Sequence, residues 1–519
     1  MHGKKRCAWR TVAACLAAGV ALFGCGGGGG GAGGGTGDGP EAGAGADSGT
    51  ELPQIVASRS VAGRCAAPRV GTADRPGSLD NEKRWVRAWI DETYLWYDEV
   101  PSLRAADYAT SVAYFNDLKT PALTASGRPK DRFHFSADTA TYEASEAGDA
   151  QLGYGIQFAY LSSQPPRDVR VAYVGPDSPA DQAGVRRGMR LHTIDGLDVA
   201  RSNEVDALNA ALAPTVVGEQ HRLGLGDAQG SVVEYTLSAA QLPSTAVMNV
   251  RVLPTSTGPV GYLQFNEHSV AAEAQLMDAL TALRASSITD LVLDMRYNGG
   301  GLLGVAAGLG SMVAPANSSR GQTFERLIFN RKNPFGPPSA ARVTFPDAAV
   351  LGPRTGQSLP RLNLPRVLVL AGGATCSASE AVVNGLRGIG VRVDLVGATT
   401  CGKPYGFFPE DNCGTTYFAV QFQGVNARGE GDYGDGMAPT CAVPDDFDHA
   451  LGDPAEARLA AALTLRSTGL CPGAPTLAVA SAAPAASSRA KPAAEPQLLH
   501  PRPRLLDDRI VRPQDLAPQ

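Results

Sequence analysis

Residues Val367 to Glu380 read V-L-V-L-A-G-G-A-T-C-S-A-S-E. The apolar run Val367–Leu370 is short and valine-rich, as a buried strand is, and Gly372–Gly373 supplies a turn. A helical pattern from Ser379 to Leu386 follows directly. Ser377 therefore stands at a strand-to-helix turn, its hydroxyl at a helix N-terminus where backbone N–H groups favour developing negative charge. An acyl-transfer nucleophile belongs at such a place, although serine is also a common structural helix cap.

Downstream, the strand Val391–Val396 runs into the loop Gly397 to Gly406 (GATTCGKPYG), which presents one lysine among glycines. Lys403 follows Ser377 by 26 residues, the length of one strand–helix–strand excursion that returns the chain to the same sheet edge. Such a lysine can serve as general base if burial lowers its pKa; the ordinary alternative is a solvated surface lysine. Upstream, Asp290 to Gly301 (DLVLDMRYNGGG) joins a buried strand to three glycines, whose N–H groups can approach a reacting carbonyl as an oxyanion hole does. A phosphate loop is excluded there, because no GK[ST] follows and the spacing is not GxGxxG.

Strands (Val260–Phe265, Leu291–Met295) and helices (Ala272–Ala285) alternate around these motifs, predicting an α/β domain over residues 247–470. Before it, Asn81 to Asp98 carries Trp85, Trp89, Ile90, Trp96 and Tyr97 at near-helical spacing, and a second helix is expected around Ser111–Leu118. Together they predict a small helical domain over 76–148, with the aromatic stripe as core. Short apolar runs with glycine punctuation predict a β-rich module over 152–242. In it Gly153-Tyr154-Gly155-Ile156 opens a strand, Ser178 to Gly184 (SPADQAG) spells one capped helical turn, and Glu204–Leu212 a longer helix. The Ala- and Pro-rich residues 472–519 are expected to be disordered and functionally silent.

Composition, 43% hydrophobic and 19% charged over 519 residues, leaves room for two or three ordinary globular domains. A net charge of -5 and the lack of a basic run interleaved with aromatics argue against a nucleic-acid partner. Lys4, Lys5, Arg6 and Arg10 precede an apolar stretch, Thr11 to Phe23, too short to span a bilayer, which marks residues 1–24 as a signal peptide. Leu22-Phe23-Gly24-Cys25 resembles a bacterial lipobox, so Cys25 would carry lipid, the alternative being ordinary secretion with Cys25 merely near the cleavage site; the Gly-rich residues 25–75 would be a tether. That places the chain in the bacterial cell envelope, facing the periplasm from a membrane, with the outer membrane favoured. Of nine cysteines, Cys7 and Cys15 fall in the signal peptide, leaving Cys65, Cys376, Cys401, Cys413, Cys441 and Cys471 for disulfides in an oxidising compartment. No CxxC pair supports a zinc site, so no metal or cofactor is expected.

The wording SPADQAG followed by GMRLHTIDG resembles a PDZ domain of bacterial proteases. With D-L-V-L-D-x-R-x-N-G-G-G, S-A-S-E and T-x-G-K in order, residues 80 to 465 resemble the carboxyl-terminal processing (tail-specific) peptidases. The resemblance implies a crotonase-like (ClpP/crotonase-type) α/β catalytic domain with an inserted PDZ-like β-rich domain. It implies Ser377 as nucleophile, Lys403 as general base, and an oxyanion hole from Ala378 with Gly299 or Gly300. Polypeptide C-termini would dock by strand addition at Gly153, Tyr154, Gly155 and Ile156, with an activating lipoprotein or adaptor as a further partner. Where many relatives carry a lysine-orienting glutamine, residue 407 is Phe; Asn412 and Gln421 are candidates for that role. A disulfide near the dyad, Cys376–Cys401 or Cys401–Cys413, would be a device holding two loops together. A histidine base is the rival, but His134, His192, His221, His268 and His449 lack a triad context. A non-catalytic peptide-binding lipoprotein and a small-molecule ester hydrolase on the same fold are the alternative functions.

Overall fold

The computed structural model describes residues 57–146, 151–162, 164–227, 230–334, 341–473 and 497–498. The expected signal peptide, Cys25 and the tether up to residue 56 lie outside them. Residues 57–75, assigned to the tether from composition, are part of the folded body: Ser58–Val61 is helical and Cys65 is bonded to Cys413.

Ser78 opens helix α1 (Leu79–Thr93) with a capping box: its hydroxyl accepts from the Asn81 N–H, and Asn81 Oδ1 accepts from the Ser78 N–H. Trp85, Val86, Trp89 and Ile90 share the buried face of α1, with the two indoles stacked at 5.5 Å. Burying each such side chain stabilises the fold by about 1.5–3 kcal/mol. Helix α2 (Ser111–Asp117) and strand β1 (Phe135–Asp138) follow. β1 pairs with Thr415–Phe418, and Trp85 packs on Tyr417 at 5.4 Å. The described residues of the 76–148 segment therefore share one core with the α/β body instead of forming a helical domain of their own.

The β-rich part contains β2 (Ile156–Ser162), β3 (Asp168–Val174), β4 (Arg190–Ile194), helix α3 (Val205–Leu212), β5 (Gln220–Gly226) and β6 (Val232–Ser238). The strands pair antiparallel in the order β6-β5-β4-β3-β2 around a core of its own that includes Phe158, Val171, Leu191, Leu208 and Leu225.

The α/β part comprises β7 (Val247–Leu253), β8 (Val260–Phe265), α4 (Val270–Ala285), β9 (Asp290–Asp294), α5 (Leu303–Val313), β10 (Arg366–Ala371), α6 (Ala378–Gly388), β11 (Arg392–Gly397), β12 (Thr415–Phe418), β13 (Cys441–Ala442) and α7 (Ala457–Thr468). The main sheet runs β7-β8-β9-β10-β11-β13, parallel from β8 onward. Every residue of β8 and β9 is buried, as a sheet covered on both faces requires. Leu291, Leu293, Val367 and Val369 join the core of α4, α5 and α6, while Val292, Leu368 and Leu370 join that of α7. Among the described residues no helix is long and apolar enough to cross a membrane.

Beyond residue 473 only β14 (Gln497–Leu498) is described, a strand paired antiparallel with β2, where no order was expected.

Candidate active site

Parallel strands end on one side of a sheet, so the loops after β9, β10 and β11 converge there. Ser377 heads α6 with φ 58° and ψ -114°, a strained conformation for a residue with a Cβ, as found where a turn must present a side chain. Cys376 donates its N–H to the Asn298 carbonyl at 3.1 Å, and the Ser379 hydroxyl donates to the same oxygen at 3.1 Å, fastening the turn to the glycine loop. Gly300 lies so close that a Cβ there would sit 2.8 Å from Ser377 Cβ and 3.0 Å from Ala378 N. Only glycine fits.

The turn and the lysine loop are joined in two ways. Cys376 and Cys401 form a disulfide with their Cα atoms 5.1 Å apart, and Cys401 N–H donates to the Thr375 carbonyl at 3.0 Å. Cys65–Cys413 and Cys441–Cys471 complete the set, so the alternative pairing of Cys401 with Cys413 is excluded. Inside the disulfide sits Glu380, fully buried. Its Oε2 accepts the Ser377 N–H at 3.0 Å and the Lys403 N–H at 2.8 Å; its Oε1 accepts the Gly402 N–H at 2.9 Å and the Thr400 hydroxyl. Burial pushes the Glu380 carboxyl up, and the pull of these four donors does not fully offset it.

Lys403 is buried, 1% exposed. Its Nζ lies 4.3 Å from the centre of the Phe407 ring and 5.0 Å from that of Phe133. Phe407 thus occupies the lysine's surroundings where an amide was looked for. Asn412 accepts the Gly63 N–H, and Gln421 donates to the Phe408 carbonyl.

The glycine loop is fixed from behind by His268. Its N–H donates to the Gly300 carbonyl at 2.9 Å, and its Nδ1 lies 3.1 Å from Asn298 Oδ1. The Gly300 N–H donates to the same Asn298 oxygen at 3.0 Å, so this expected oxyanion donor is engaged within its own loop. His134, His221 and His449 sit elsewhere, against Phe115, Asp195 and Asp446.

Just before the glycines lies a buried ionic cluster. Arg296 donates to Asp294 at 3.0 Å, to Asp445 at 2.8 Å and to both Glu456 oxygens. Arg187, from the β-rich part, donates to the Tyr297 hydroxyl at 2.7 Å and to Asp445 at 2.8 Å. Burial opposes ionisation of Asp445, but the guanidinium groups of Arg296 and Arg187 hold its carboxyl well below the usual range.

Gly153, Tyr154, Gly155 and Ile156 line a cavity of about 270 Å³ together with Phe158, Leu212 and Leu242. At Gly155, φ is +81° and a Cβ would stand 2.1 Å from that of Ser178, so the loop requires glycine.

In the sequence Glu380 reads as an ordinary helix residue; the available signal is a carboxylate three positions after a helix-capping serine, the capping-box spacing. His268 carried no such signal.

Two family models match the chain: Peptidase family S41 over residues 259–409, and the Peptidase S41 N-terminal domain over residues 81–137. The carboxyl-terminal-processing protease of Picosynechococcus sp. is 26% identical over 266 residues, 48% of this chain and 54% of its own. Carboxyl-terminal-processing peptidase 1 (chloroplastic) of Arabidopsis thaliana is 28% identical over 230 residues, 44% of this chain and 42% of its own. The chain thus spans about half the length of the curated relatives it matches. A candidate S41 protease from Bacteroides fragilis superposes with a TM-score of 0.59 at 25% identity, covering 74% of this chain and 97% of that one. The fold is that of the S41 peptidases, with mixed α/β content. Over residues 259–409 the chain matches the S41 peptidases, and it is similar to their carboxyl-terminal processing members.

Proposed function

We propose that this chain is a serine endopeptidase of the carboxyl-terminal processing type, working through Ser377 and Lys403 on exported or unfolded polypeptides. The observation that carries the reading is Glu380, whose carboxylate holds the backbone of both residues at one point. Lys403 Nζ, acting as the neutral amine, takes the Ser377 proton as Oγ attacks the peptide carbonyl carbon. The Ala378 and Gly299 N–H groups stabilise the resulting oxyanion. The proton then passes to the leaving amine, and water hydrolyses the acyl-enzyme.

In this reading the α/β body is crotonase-like and the β-rich part is a PDZ-like module. The edge of β2 opposite β3 receives a substrate's C-terminal segment by strand addition, with the Gly153–Ile156 amides at its carboxylate. The lipid on Cys25, the periplasmic location and an activating adaptor are proposed from the sequence; labelled palmitate incorporated by the wild type and lost in Cys25→Ala would support the anchor.

The test of the activity is casein cleavage by soluble protein beginning at residue 51. Wild type should cleave, and Ser377→Ala and Lys403→Ala should each lose at least about 10³-fold in rate. Cleavage that survives Lys403→Ala would overturn the dyad.

A further inference from the structure

The edge of β2 opposite β3 is where a peptide strand can add, and the chain itself fills it. Gln497 of β14 stands opposite Tyr160 and Leu498 opposite Ala159, antiparallel. Gln497 follows Gly473 by 24 residues, which can span up to roughly 80 Å when extended, so chain length does not hinder the return. The antiparallel direction leads past Leu498 toward the Gly153–Ile156 end of β2. The cavity at that end is lined by Asp177 and Glu267 and, among the described residues, by no lysine or arginine. The sequence after Leu498 carries His500, Arg502 and Arg504. A peptide of this sequence therefore carries charge opposite to that lining this end of the groove.

We propose that the C-terminal tail is a built-in competitor for the β2 edge: Gln497–Leu498 dock there as an added strand, and a substrate must displace them to bind. This rests on the reading of β2 as the peptide-docking edge, but not on the identity of the catalytic residues. Because the tail is covalently attached, its effective concentration at the edge is on the order of millimolar, enough to hold off a weak external peptide.

The test is binding of a fluorescein-labelled peptide of residues 493–504 to three proteins, all carrying Ser377→Ala so that the probe is not cut. These are the full chain, the chain truncated after Gly473, and the full chain with Gln497→Pro and Leu498→Pro, which cannot extend the strand ladder. The truncated chain should bind about tenfold or more tighter than the full chain, and the proline variant should match the truncated one. Equal affinity for full and truncated chains overturns the competitor and leaves β2 standing as a docking edge. A truncated chain that does not bind overturns both. An unrelieved proline variant shows that the strand is not what blocks the edge. The dyad is judged separately, by casein cleavage.

Discussion

The backbone N–H groups of Ser377 and Lys403 donate to the same oxygen, Oε2 of Glu380, at 3.0 and 2.8 Å. Two loops from different strands are thereby indexed to one buried carboxylate. A displacement of about 1 Å between reacting groups can cost on the order of 100-fold in rate, so in the proposed Ser377/Lys403 mechanism this oxygen would set the precision of the pair.

Glu380→Gln keeps the shape but replaces one acceptor by a donor that faces N–H groups. The expected outcome is a kcat lower by about 100-fold with KM nearly unchanged, and a stability loss of about 2 kcal/mol. Steady-state cleavage of a fluorogenic peptide and a thermal melt measure both. A wild-type kcat would show that the shared oxygen does not position the pair.

Two disulfides close loops of similar length, with separations of 25 residues for Cys376–Cys401 and 30 for Cys441–Cys471. Replacing either pair by alanines should cost about 3 kcal/mol of stability. Only loss of Cys376–Cys401 should also lower kcat, since only that pair ties the turn to the lysine loop. Equal kcat in the two double variants would contradict this.

Phe407 presents its ring to Lys403 Nζ at 4.3 Å. Phe407→Gln puts an amide oxygen there that can accept from the ammonium, which favours the charged form and raises the pH at which the neutral base becomes available. The alkaline-side rise of kcat/KM should move to higher pH, with a lower rate near neutrality. A profile that stays in place would mean that the ring does not tune the lysine.

The folded-state carboxyl of Asp445 lies well below its ordinary value, against the cost of burial, because Arg296 and Arg187 adjoin it. Its stabilising contribution is present above about pH 4, the range of an unfolded aspartate, and is lost as the pH falls further. Asp445→Asn should cost about 3 kcal/mol at neutral pH, since two buried guanidinium groups lose a partner, and should flatten the acid limb of the stability curve. Urea unfolding at neutral and acidic pH measures both; an unchanged limb would assign the acid sensitivity to other carboxylates.

The strands and helices of the α/β body were legible because buried parallel strands are short apolar runs and their helices follow a period near 3.6. The ends of β8, β11 and α6 fall within one or two residues of their sequence-based bounds. The same locality made Ser377 and Lys403 visible, since each stands just past the carboxyl end of a readable strand. The aromatic stripe of α1 announced a buried face but not its partner; that partner includes Tyr417, more than 300 residues downstream.

By itself, then, the sequence determined the order of strands, helices and glycine turns, the two polar residues at strand ends, and the six cysteines that follow Cys25. Each of these follows from neighbours a few positions apart. Only the tertiary structure decided which cysteines pair, that Glu380 binds both loops, that His268 backs the glycine loop, that residues 58–76 and the helical segment belong to the main body, and that Gln497–Leu498 return to β2. These contacts join segments far apart in the chain, and their partners are set by the register of the parallel sheet and by which buried donors a carboxylate or a strand edge is left to satisfy.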